Sequence, residues 1–117
     1  MRRALIVLAC ALAACGETAR RPPPPGDAQN GKLLLRQFGC GSCHEIPGVA
    51  DARGRVGPPL KGIAGRVYIA GVLPTTPGNM AAFIRAPQRF EPRTKMPDLG
   101  VTAEHARDMV AYLYMLE

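Results

Sequence analysis

Tryptophan is absent from the 117 residues, and aromatic side chains make up only 5% of them. With 12 prolines and 13 glycines as well, so short a chain is one loop-rich domain with a modest core of its own. No segment alternates apolar and polar residues as a half-buried strand does, which argues against a sheet-based fold. No apolar run approaches the roughly 20 residues of a membrane-spanning helix. The formal charge is +6, yet the basic residues form no dense run and lack interleaved aromatics, so nucleic acid is not expected as a partner. Such a surface suits either an acidic protein partner or plain solubility.

What is present starts with a targeting segment. Met1-Arg2-Arg3 is a charged head and Ala4 to Ala14 a short apolar run ending in small residues. Leu12-Ala13-Ala14-Cys15-Gly16 resembles a bacterial lipobox, in which Cys15 is lipidated after cleavage. The alternative is an ordinary secretory signal cut near Ala14. The lipobox is preferred because Cys15 otherwise has no partner. Residues 1–14 are therefore read as signal peptide and 15–27 as a tether, stiffened by Pro22 to Pro25 in an extended polyproline form. Residues 28–117 are the folded domain. The protein is placed in the bacterial periplasm, held to a membrane through Cys15.

Cys40-Gly41-Ser42-Cys43-His44 carries the chemistry. Cys-x-x-Cys-His is the attachment pattern of a c-type haem. Positions i, i+3 and i+4 share one face of a helical turn. Two thiols so placed reach two vinyl groups of one porphyrin, with the adjacent imidazole beneath the iron. A redox dithiol is a rival reading, but it usually accompanies a βαβ pattern that is missing here. Half of a zinc site is another, but His105 is the one remaining histidine and no second cysteine pair remains in the mature chain. With Cys10 lost with the signal, Cys15 lipidated and Cys40 and Cys43 on haem, no thiol is left for a disulfide.

Helical spacing predicts a first helix over Ala28–Phe38, with Leu34, Leu35 and Phe38 inward. A second is expected over Asn79–Ala86, capped by Asn79, lined by Met80, Phe83 and Ile84, and stopped by Pro87. A third runs over Ala103–Leu116 behind the cap Thr102. Ile46–Arg55, Val56–Thr76 and Gln88–Gly100 read as loops. The fold class is all-α, three to four helices with long loops wrapped round the haem. His105 is expected to be exposed, and Met80, Met109 and Met115 to pack in the core.

The haem motif together with Gly57-Pro58-Pro59-Leu60, Gly62-Ile63-Ala64-Gly65-Arg66, Pro92-Arg93-Thr94-Lys95-Met96-Pro97 and Ala111-Tyr112-Leu113 resembles the class I cytochrome c family, over most of Gly31 to Leu116. The stretch from Tyr68 to Met96 looks like the haem domain fused to the copper-binding subunit of some haem–copper oxidases, which suggests a respiratory partner. The resemblance implies a cytochrome c fold with one covalent haem c and Met96 as second axial ligand. A thioether is soft and neutral, and Met/His ligation raises the haem potential. The resemblance also implies a Pro58 carbonyl accepting from His44, Arg66 and Tyr68 near the propionates, Phe83 and Met80 on the pocket wall, and Thr94 bonded within the Met96 loop. Gly31 and Tyr112 would form a close helix crossing. The family often has a tryptophan near the inner propionate, and none stands here.

The expected function is one-electron transfer through the porphyrin edge near Cys43, with Lys32, Lys61, Arg93 and Lys95 at the rim. The partners are redox proteins, and the chain is a monomer or a complex subunit. A haem enzyme such as a peroxidase needs an open iron position and a distal acid or base, and Met96 would fill that position. A fixed subunit of an oxidase or dehydrogenase is the other alternative.

Overall fold

The structure is a computed structural model and describes residues 21–117. The signal segment, the lipobox and Cys15 lie outside the described residues. Four helices carry the domain: α1 (Ala28–Gln37), α2 (Pro77–Arg85), α3 (Pro87–Phe90) and α4 (Ala103–Leu113). Between α1 and α2 stand two 3-10 turns, Cys40–Ser42 and Ile63–Gly65, and two short strands, β1 (Tyr68–Ile69) and β2 (Leu73–Pro74). Among the described residues no helix is long and apolar enough to cross a membrane.

Helix α1 starts because the Asp27 carboxylate accepts the Asn30 N–H at 3.0 Å, and Arg36 favours its C-terminal end. Its buried residues Gly31, Leu34 and Leu35 recur at helical spacing. Helix α4 is capped by the Thr102 hydroxyl on the His105 N–H at 3.1 Å, as the sequence suggests. It buries Ala106, Met109, Val110 and Leu113. The two helices cross at Gly31, where a Cβ atom would collide with the Asp108 backbone carbonyl. Any other residue there would force the helices apart.

Asp108 itself is buried on α4. Its carboxylate accepts the Asp27 N–H and the Asn30 side-chain amide, each at 2.8 Å. These bonds hold its pKa below the usual carboxylate value. The start of α1 is thereby pinned to the middle of α4.

Several expectations need correction. Gly31 packs on the backbone of Asp108, not on Tyr112; the Tyr112 ring lies against Gly48 and donates its hydroxyl to the Pro47 carbonyl at 2.6 Å. Helix α2 begins two residues before Asn79, behind the Thr76 hydroxyl, which accepts the Asn79 N–H at 3.1 Å. Pro77 then occupies the first turn, where its missing N–H costs nothing. Pro87 ends α2 but opens α3, so part of Gln88–Gly100 is helical. Helix α4 stops at Leu113, and Met115 is 62% exposed rather than packed. His105 is half-buried, with its ring edge-on to Phe38 at 5.9 Å and its Nδ1 buried without a partner among the described residues. The fold is the expected helical one, and within the expected loop Val56–Thr76 it carries two strands of two residues each. They pair antiparallel, Tyr68 with Pro74 and Ile69 with Leu73, around a turn with Ala70 and Gly71 at φ 50° and 72°.

Candidate functional site

The Cys-x-x-Cys-His run leaves α1 through Gly39, in the left-handed region at φ 72°. The chain then coils once: the N–H groups of Cys43 and His44 both reach the Cys40 carbonyl, at 3.2 and 3.0 Å. That single turn brings Cys40, Cys43 and His44 to the wall of one cleft, as the spacing requires. Both thiols are free and half-buried. Burial pushes the Cys40 thiol above its usual pKa.

The loop after the motif is hung from it. Gly54 N–H bonds Gly41, Gly57 N–H bonds Cys43 at 2.7 Å, and Leu60 N–H bonds Glu45. Gly57 lies so close to the His44 ring that a Cβ would overlap the imidazole. Next in the chain, the Pro58 carbonyl meets His44 Nδ1 at 2.7 Å. A carbonyl only accepts, so Nδ1 carries the proton and the lone pair of the neutral ring is on Nε2. Nε2 is thus left with its lone pair free.

Met96 borders the same cleft from the other long loop. Its N–H donates to the Thr94 hydroxyl at 3.2 Å, and its carbonyl accepts from the Gln88 side-chain amide at 2.6 Å. The Thr94 N–H in turn bonds the Glu91 carbonyl. The loop is therefore held on both sides of the methionine. Sequence reasoning missed Gln88, and nothing in its local pattern marks it out.

The cleft has a volume of about 450 Å³ and an almost wholly apolar lining. Met80, Phe83 and Met109, all nearly inaccessible, form its floor with Ile63 and Leu113. Two thiols on one turn, an imidazole with a free Nε2, a thioether and a deep apolar slot suit a covalently attached porphyrin. The remaining expected residues are present with different surroundings. Tyr68 borders the cleft and is 55% exposed. Arg66 also borders it, but its guanidinium donates to the Pro59 and Lys61 carbonyls. Of the four basic residues expected at the rim, only Lys95 borders the cleft; Lys32, Lys61 and Arg93 do not.

Comparison with known proteins agrees with this geometry. Residues 28–117 match the family model described as Cytochrome c. The chain is 34% identical over 108 residues to cytochrome c2 of Rhodopila globiformis, covering 80% of this chain and 97% of that protein. Cytochrome c2 from Rhodobacter sphaeroides has a similar fold, with a TM-score of 0.56 at 18% identity, covering 79% of this chain and 97% of the other.

Proposed function

Because this chain belongs to the cytochrome c family, and so is an electron-transfer protein with one covalent haem c on Cys40 and Cys43, we propose that it is a high-potential one-electron carrier of a respiratory chain, held to a bacterial membrane from the periplasmic side. The carrying observation is the His44–Pro58 bond at 2.7 Å in a cleft that Met96 also borders. Bound haem supplies a reversible one-electron couple at iron. His44 ligates through Nε2, and Pro58 fixes the ring and raises its basicity. Met96 supplies a neutral sulfur, and the apolar wall of Phe83, Met80 and Ile63 disfavours the extra positive charge of the oxidised state. Both effects raise the potential.

Thr94 and Gln88 hold the methionine loop in position. Arg66 and Tyr68 are the groups nearest in chemistry to carboxylate partners at the cleft mouth, Arg66 with the donors its carbonyl bonds leave free. The membrane anchor is Cys15, and residues 16–20 join it to the described chain. Redox proteins are the partners, and a haem–copper oxidase is the acceptor favoured by the sequence likeness of Tyr68 to Met96.

Met96→Ala in the holoprotein tests the ligand set. We expect loss of the methionine-to-iron charge-transfer band, binding of carbon monoxide by the reduced form, and a midpoint potential lower by more than about 59 mV, a tenfold change in a one-electron equilibrium. An unchanged spectrum would refute Met96 as ligand.

A further inference from the structure

The β1–β2 hairpin is an uncharged edge that carries exposed apolar side chains. No charged residue occurs between Arg66 and Arg85. Val67 is 74% exposed and Val72 42% exposed. Neither borders the cleft, so a group bound there leaves both uncovered. Val56, Tyr68 and Leu99 are exposed too, but they border the cleft and gain cover from a bound porphyrin, whereas Leu33 on α1 and Met115 after α4 are single exposed apolar residues away from it.

The N-terminal proline segment docks on residues that shortly precede this hairpin in the chain. Arg21 donates to the Ala64 carbonyl at 3.2 Å, and Pro22 to Pro24 share a groove with Gly62, Ala64 and Gly65. Ala64 is three residues before Val67, at most about 11 Å along the chain. From Cys15 to Arg21 the chain reaches at most about 21 Å when fully extended. A lipid on Cys15 therefore keeps the bilayer within about 32 Å of Val67, a span the hairpin can close by lying flat on the surface.

We propose that this hairpin is a membrane-contacting edge, with Val67 and Val72 set into the interfacial region of a phospholipid surface. The proposal rests on the anchoring of Cys15 proposed above. Arg21 at the strap groove suits an anionic headgroup; Glu117 is the acidic residue there. A protein partner must find this edge by encounter, whereas the tether keeps lipid beside it at all times. On this proposal it is the contact of Val67 and Val72 with lipid, added to the tether, that orients the domain.

Hydrogen exchange read by mass spectrometry tests this on mature holoprotein bound to phosphatidylethanolamine–phosphatidylglycerol vesicles, with the Cys15→Ser holoprotein in solution as reference. Exchange in residues 66–76 should slow about tenfold on vesicles, with residues 45–55 unchanged. Val67→Asp combined with Val72→Asp should remove the slowing and leave the optical spectrum intact. Unchanged exchange at the hairpin of vesicle-bound protein overturns the proposal. So does slowing that appears only when a membrane redox complex is added. The mass of the N-terminal peptide reports separately whether Cys15 carries lipid. If it does not, coupling Cys15 to maleimide-bearing phospholipid in the same vesicles supplies the tether, and the hairpin exchange decides as before.

Discussion

The α1–α4 crossing and the cleft wall are built on opposite terms. At the crossing, backbone meets backbone at Gly31 and Asp108, and a buried carboxylate ties the start of one helix to the middle of the other. Both oxygens of that carboxylate are paired. At the cleft, loops hang from a single turn at Cys40 to His44, and apolar side chains of the core turn one face to the slot. The crossing is complete in itself. The cleft is complete only around a large apolar guest, so its stability belongs jointly to chain and cofactor.

The largest effect should come from removing the guest. With Cys40→Ala and Cys43→Ala together, no haem should survive denaturing electrophoresis. Exchange in residues 45–60 and 88–101 should become fast while the α1 and α4 amides stay the slowest in the molecule. Equal loss in both regions would erase the distinction. Next is Gly31→Ala, which forces the crossing apart and should cost about 1–3 kcal/mol in denaturant unfolding of the holoprotein.

A cost of about 1–3 kcal/mol is also expected for Asp108→Asn, because one of its two donors loses an acceptor. This variant sharpens the contrast through pH. The folded pKa of Asp108 lies below its unfolded value, so its contribution is whole above the unfolded pKa of about 3.9 and falls away as pH drops through the folded one. Wild type should lose stability through that acid window, and the variant should show a flatter slope in urea unfolding repeated across pH. The smallest effect is expected from Gln88→Ala, about 1 kcal/mol, read as weaker retention of the methionine band on warming with little change in α1–α4 exchange.

How far this architecture was legible from sequence follows the same division. The pieces of α1 and α4 were visible because apolar residues recur at helical spacing beside Asp27 and Thr102. The cysteines and His44 were visible because their chemistry is local to one turn. The start of α2 was misjudged because Asn79 looks like a cap, although Thr76 followed by Pro77 was the better signal. Strands of two residues are too short to show alternation. Asp108 and Gln88 had no local signature, since their partners lie across the fold or on the far side of a loop. The strap of Pro22 to Pro24 reads as a free spacer until its groove beside Gly62 and Ala64 is seen.

His44 owes its orientation to Pro58, a residue outside its own turn. The intervening segment is pegged at Gly54 and Gly57, yet between those pegs and the motif it makes its own turns. Outside its glycines and the buried Ile46, Val49 and Ala52, its composition is free to drift while its length is not. A single-residue insertion or deletion between Gly54 and Pro58 would swing the imidazole, and relatives should differ there by exchange of residues rather than by gaps.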